Sequence, residues 1–343
     1  MTGERLVANP LAAPVDPRPA PDGPLAFHRS LPGYAATPLV EAPAVAEALG
    51  VGRVLVKDES GRLGLPSFKV LGASWATYRA LCERAGAEPG VAIDVLRERV
   101  AADPPSLACA TDGNHGRAVA WMARLLGLEA TVFVPAAMVA ARRAAIAGEG
   151  ARVEVVDGSY DDAVERAAAT DALVIQDTAW PGYETVPAWV VEGYATIGAE
   201  IDVRPDLVAV QIGVGSFAAA IVRRFAPARI VGVEPLRAAC ALASAQAGRL
   251  VQVPGPHDSV MAGLNCGRPS PVAWPVVSRG IEAFCAVSDD RAREAVRLLA
   301  RAGVRAGESG AAGLAGLLAF RDELAPPADA TVLVVNTEGD TAS

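Results

Sequence analysis

Apolar residues along this chain fall into two alternating rhythms. Short aliphatic runs at Leu107–Ala110, Ala130–Val134, Arg152–Val156, Leu173–Gln176, Leu207–Ile212, Arg229–Val233, Phe284–Val287 and Thr331–Val335 are bounded by turn residues and predict strands. Val54-Leu55-Val56 predicts a further buried strand ahead of them. The stretches between carry apolar positions at helical spacing; in Val70–Ala85 these are Leu71, Trp75, Tyr78 and Leu81. Ala42–Leu49, Arg117–Leu126 and Phe217–Arg224 also read as helices, and Ala92–Val100 as a polar one. Apolar strands separated by helices predict parallel sheets covered on both faces, so the class is α/β. Residues 1 to 30 are punctuated by proline and predict an irregular arm.

Composition narrows the function more than the fold. With 343 residues, 52% of them hydrophobic, the chain has material for two lobes. A net charge of −8 without any basic run argues against a nucleic-acid partner. Five cysteines with no C-x-x-C spacing argue against a disulfide framework and a zinc site, and predict free, buried thiols. No metal ligand set is expected. The N-terminal segment lacks a basic stretch leading into an apolar one, and no apolar run is long enough to span a bilayer. A soluble, cytoplasmic protein is the expectation.

Charge usage contains one oddity. Of 31 lysines and arginines, the only lysines are Lys57 and Lys69. Arginine cannot be deprotonated in a protein, whereas lysine can become a neutral nucleophilic amine. Such an amine forms Schiff bases with aldehydes. Lys57 follows a strand within the acidic run Lys57-Asp58-Glu59, where an ion pair is expected, while Lys69 stands at the start of the helix predicted from Val70.

Three polar turns follow predicted strands. Thr111-Asp112-Gly113-Asn114-His115-Gly116 opens a helix and offers backbone N–H groups suited to a carboxylate. Read otherwise, it is a capped strand–helix turn. Gly213-Val214-Gly215-Ser216 suits a phosphate, yet it has neither the G-K-[ST] of a P-loop nor the sixth glycine of a dinucleotide turn. Asn336-Thr337-Glu338-Gly339-Asp340-Thr341 follows the last strand.

Ser67-Phe68-Lys69, Gly113-Asn114-His115-Gly116 and Gly213–Ser216 together resemble the pyridoxal-phosphate enzymes of fold type II, the tryptophan synthase β-like family. Within that family Thr111-Asp112-Gly113-Asn114-His115-Gly116-Arg117, Gln176-Asp177-Thr178-Ala179-Trp180 and Thr337-Glu338-Gly339-Asp340-Thr341 resemble the diaminopropionate ammonia-lyases. The resemblance covers Tyr34 to the C-terminus. It implies a two-domain, three-layer αβα fold with mostly parallel sheets. Residues 1–81 and 180–343 would form a large cofactor-binding domain, and 82–179 a small substrate-side domain.

The resemblance also implies roles. Lys69 would hold pyridoxal 5'-phosphate as a Schiff base beside Phe68. Gly213, Val214, Gly215, Ser216 and Phe217 would bind the phosphate, Asn114 the ring hydroxyl, and Asn336 or Thr337 the pyridine nitrogen. Thr111, Asp112, His115 and Asp177 would meet the substrate, with Lys69, Asp112 and Asp177 catalytic. The implied reaction is β-elimination on 2,3-diaminopropionate or a related amino acid, giving pyruvate and ammonia through an aminoacrylate, in a homodimer. A serine or threonine dehydratase or a β-replacement enzyme is the alternative. A member that has lost catalysis and kept a binding role is the third reading, against which the retention of Lys69 argues.

Overall fold

The computed structural model describes residues 3–16, 21–111 and 113–339. Its strands, in chain order, are β1 (Arg5–Ala8), β2 (Leu39–Glu41), β3 (Arg53–Asp58), β4 (Leu107–Ala110), β5 (Ala130–Pro135), β6 (Arg152–Val156), β7 (Leu173–Val174), β8 (Leu207–Gln211), β9 (Arg229–Pro235), β10 (Ala283–Val287) and β11 (Thr331–Asn336). They form a seven-stranded sheet in the order β1-β10-β9-β8-β11-β3-β2 and a four-stranded sheet in the order β6-β5-β4-β7. Every pairing is parallel except those of β1 and β2, the edge strands of the larger sheet.

The chain divides into two compact units. The first takes in the described N-terminal residues, Ala36–Arg62 and the chain from Ile197 on; the second takes in Pro21–Ala35 and Leu63–Thr196. In the first unit one face of the large sheet contributes Val54, Val56, Leu207, Ala209, Val231, Val233, Val332 and Val334 to a core closed by the helix Glu308–Ala319. Alternate residues of the same strands, among them Leu55, Val208, Val210, Phe284 and Leu333, are equally buried, so the sheet is covered on both faces. In the second unit Ala108, Ala110 and Phe133 of the small sheet pack on Ala163 and Ala167 of the helix Tyr160–Ala168. The helix Lys69–Arg84 lies against the helix Asn114–Leu126.

The α/β class and the parallel sheets are those the hydrophobic pattern predicts. The N-terminal arm is not irregular throughout. Arg5–Ala8 pairs antiparallel with β10, and Asp22–Ser30 is a helix that buries Phe27 against Trp75 and Tyr78. A strand of four residues and a short helix among prolines carry too little periodicity to stand out. β7 is shorter than Leu173–Gln176: the Ile175 N–H still donates to the Ala108 carbonyl at 2.8 Å, but Gln176 meets β4 through its side chain, Oε1 accepting from the Ala110 N–H at 2.9 Å and Nε2 donating to its carbonyl at 3.1 Å. The five cysteines are in no disulfide; Cys82, Cys109, Cys240 and Cys285 are buried, and Cys266 is half-buried. Among the described residues no helix is long and apolar enough to cross a membrane.

Candidate active site

Lys69 is the first residue of the helix Lys69–Arg84, reached through Leu63 and Gly64, both with positive φ (52° and 77°). Its ammonium donates to Asp177 Oδ2 at 2.6 Å and lies 5.6 Å from the Phe68 ring centroid. Asp177 is buried. Burial pushes its carboxyl up, but the Lys69 charge and hydrogen bond outweigh that and hold it at about 2, so it is ionised at neutral pH. His115 Nδ1 faces the same oxygen at 3.9 Å, too long for a hydrogen bond. The other ring nitrogen, Nε2, is 2.8 Å from the Ile175 carbonyl oxygen. A carbonyl only accepts, so Nε2 carries the proton and Nδ1 presents a lone pair. Burial pushes the His115 pKa down, which keeps the ring neutral.

The turn that carries His115 is shaped by its glycines and one hydroxyl. Thr111 Oγ1 accepts from the N–H groups of Gly113 at 2.9 Å and Gly116 at 3.1 Å, so this side chain caps the turn. Gly113 has φ 150°, and a Cβ on Gly116 would lie 2.4 Å from Thr111 Cγ2 and 2.6 Å from Val132 Cγ1. Asn114 is the first residue of the helix Asn114–Leu126. Asp112 lies outside the described residues.

In the first unit, Gly213-Val214-Gly215 joins β8 to the helix Ser216–Phe225. Gly215 has φ 98°, and a Cβ at Gly213 would lie 3.1 Å from the Gly263 carbonyl and 3.3 Å from Cys266 Sγ. Ser216 and Phe217 are buried. The Val214 carbonyl accepts from the Ser270 N–H at 2.8 Å, and the buried Ser270 hydroxyl has no hydrogen-bond partner among the described residues. A glycine turn opening onto the N-terminus of a ten-residue helix fits a phosphate group.

Asn336 and Thr337 at the end of β11 differ in what they have left to offer. Asn336 Nδ2 donates to Asp58 Oδ1 at 2.8 Å and to the Arg305 carbonyl at 3.3 Å, and its Oδ1 is wedged where a Cβ on Gly310 would come within 2.2 Å. Thr337 Oγ1 accepts from Gln211 Nε2 at 2.7 Å, so its own proton is available as a donor. A donor of this kind fits an unprotonated ring nitrogen. Lys57 takes the structural role expected of it, though with a distant partner: it donates to Glu200 Oε2 at 2.6 Å and to the Thr37 carbonyl at 2.7 Å.

Two residues of these surroundings were not singled out from the sequence. Gln211 ends an otherwise apolar strand and grips Gly310, Val335 and Thr337 through one nitrogen. Tyr194 stacks obliquely on Phe68, ring centroids 4.7 Å apart, within the field of Lys69 and Asp177, and burial pushes its phenol up. A glutamine closing an aliphatic strand was the available clue to the first; the second sits in an apolar helix and offered none.

The chain matches the profile of the pyridoxal-phosphate dependent enzymes over residues 31–338. It is 36% identical to the diaminopropionate ammonia-lyase of Escherichia coli K12 over 347 residues, which cover 92% of this chain and 87% of that protein. The enzyme of the same name from Salmonella typhimurium is 36% identical over 358 residues, 93% and 88% of the two chains. The crystal structure of the Escherichia coli diaminopropionate ammonia lyase in complex with D-serine superposes with a TM-score of 0.92 at 33% identity, covering 98% of this chain and 94% of the other. Its complex with an aminoacrylate-PLP azomethine reaction intermediate gives 0.89 at 32% identity over the same shares. The lysine at a helix start, the glycine turn and the matched length agree: the chain belongs to the pyridoxal-phosphate dependent enzyme family, with pyridoxal phosphate as its cofactor.

Proposed function

We propose that this protein is a lyase that eliminates ammonia from the β-carbon of 2,3-diaminopropionate, giving pyruvate and a second ammonia. The observation that carries the reading is the Lys69–Asp177 pair at 2.6 Å, a reserved amine beside a buried, ionised carboxylate. It is supported by the likeness to enzymes named for this reaction over nine-tenths of the chain.

When bound, pyridoxal phosphate supplies an electron sink that acidifies the Cα–H bond of an amino acid. Lys69 is the amine that would hold the aldehyde carbon and, once released, would take the Cα proton. Gly213, Val214, Gly215, Ser216 and Phe217 would hold its phosphate at the helix N-terminus. Thr337 would donate to the pyridine nitrogen, and Asn114 would meet the ring hydroxyl. Thr337 is assigned over Asn336 because the Asn336 amide is spent on Asp58 and Arg305. Asp177 attracts a β-ammonium, and Asp112 is assigned to the substrate amino acid as a second acidic group. Homodimeric assembly and a cytoplasmic location belong to the same proposal, and light scattering of the purified protein tests the first.

The reading is tested by offering the reconstituted enzyme 2,3-diaminopropionate, serine and threonine and measuring 2-oxo acid and ammonia. Two ammonia per pyruvate from diaminopropionate is expected. Preferential turnover of serine or threonine replaces the reading with a dehydratase. Lys69→Ala is expected to abolish both turnover and the visible absorbance of the cofactor imine, and an active variant removes the role given to that residue.

A further inference from the structure

We propose that His115 is a specificity residue: with Asp177 it forms a pair of acceptors that selects a β-ammonium leaving group over a β-hydroxyl. This rests on the lyase reading above and says how the same site chooses its substrate. The geometry carries it. Nε2 of His115 is tied as a donor to the Ile175 carbonyl at 2.8 Å, which leaves Nδ1 an acceptor. That nitrogen is buried without a hydrogen-bond partner among the described residues, 3.9 Å from Asp177 Oδ2. A buried acceptor left unpaired carries a desolvation cost that a suitable donor relieves. Two acceptors at this separation are bridged well by a group with several N–H bonds and a positive charge. The Lys69 ammonium, 2.6 Å from Oδ2, shows the kind of group the carboxylate takes.

The chemistry of departure points the same way. A base removes the Cα proton, and that electron pair forms the bond between Cα and Cβ. The Cβ–N bond breaks with its pair going to nitrogen, so a β-ammonium leaves as neutral ammonia and needs no further proton. A β-hydroxyl leaves as hydroxide unless an acid protonates it. His115 is neutral with its one proton on the Ile175 side, so Nδ1 has none to give, and the acid a β-hydroxyl needs would be the Lys69 amine after it has taken the Cα proton. Nearby, the Tyr183 hydroxyl is committed to the Val174 carbonyl at 2.7 Å, and burial makes the Tyr194 phenol a weaker acid than free tyrosine. A hydroxyl also brings a single donor to a place that asks for two.

The test compares His115→Gln with His115→Asn in the holoenzyme. Glutamine places an N–H near the Nε2 position and keeps the bond to Ile175, but has nothing at Nδ1. Asparagine places a polar atom at Nδ1 and loses the bond to Ile175. For His115→Gln the kcat/KM for 2,3-diaminopropionate is expected to fall roughly tenfold to hundredfold, the value of a hydrogen bond to a charged group. The value for serine should fall much less, so the ratio of the two drops. His115→Asn should retain most of that ratio. A residue that merely supports the fold gives the opposite order. An unchanged ratio in His115→Gln overturns the proposal. Independently of turnover, nitrogen NMR of histidine-labelled, cofactor-free wild type, with its 3 histidines, is expected to show His115 protonated at Nε2 alone. A proton found at Nδ1 also overturns it. Wild-type enzyme that ignores diaminopropionate sinks the lyase reading itself, and the NMR result still decides the tautomer.

Discussion

At the scale of single residues, the choice between Asn336 and Thr337 shows what a local string can and cannot say. Both follow the same apolar strand, and either has the polarity to face a ring nitrogen. Their difference lies in partners from elsewhere: Asp58, Arg305 and Gln211, the last 126 positions away. Thr337→Val is therefore expected to lower kcat/KM by about tenfold. Stability should change by only about 1 kcal/mol, because Gln211 Nε2 keeps the carbonyls of Gly310 and Val335. Paired steady-state and urea-unfolding measurements check both halves. Lys69 was legible from lysine scarcity and its place before a helix. That its partner would be Asp177, 108 positions on, was not, because the pair is made by folding.

At the scale of elements, helix packing and helix anchoring each set a limit. The helix Thr185–Ala199 meets the helix Lys69–Arg84 through Gly193, where a Cβ would stand 2.4 Å from the Leu71 carbonyl oxygen and 2.9 Å from Gly72 Cα. Backbone cannot give way as a flexible side chain does. Gly193→Ala is expected to cost about 1–3 kcal/mol, read as a lowered Tm, and to disturb the helix that begins at Lys69. Glu234 anchors the helix Cys240–Ala247 by accepting from the N–H groups of Ala241 at 2.7 Å and Leu242 at 2.8 Å. Burial pushes this carboxyl up from 4.5 to about 7. The folded state thus binds the proton more tightly than the unfolded state. Its contribution is complete below about 4.5 and is lost as the pH rises through about 7. The expected fall is roughly 3 kcal/mol across that window, read as urea midpoints between about pH 5 and pH 8. Glu234→Gln should flatten the slope. The strands and long helices were legible because their periodicity is sustained; β1 and the helix Asp22–Ser30 were not, because neighbouring structure holds them in place.

At the scale of the whole molecule, the first unit is assembled from separated stretches of chain, and a buried ionic cluster gathers residues from two of them. Arg62 donates to Glu59 Oε2 at 2.8 Å, Glu200 Oε1 at 2.7 Å and Thr37 Oγ1 at 3.0 Å, and Lys57 pairs with Glu200 at 2.6 Å. Thr37 and Arg62 stand at the two ends of Ala36–Arg62, and Glu200 stands just inside the stretch that begins at Ile197. Burial pushes the Glu200 carboxyl up, but Arg62 and Lys57 outweigh it and hold it at about 2. Removing one partner strands buried charge, so Arg62→Met is expected to cost about 3–5 kcal/mol, measured by chemical unfolding. The same cluster seals Lys57, whose side chain is 1% exposed against 21% for Lys69. For the covalent chemist this amounts to a protein in which one side-chain amine is within reach. Acylating or reductive-alkylating reagents applied before the cofactor is bound are expected to tag Lys69 and spare Lys57.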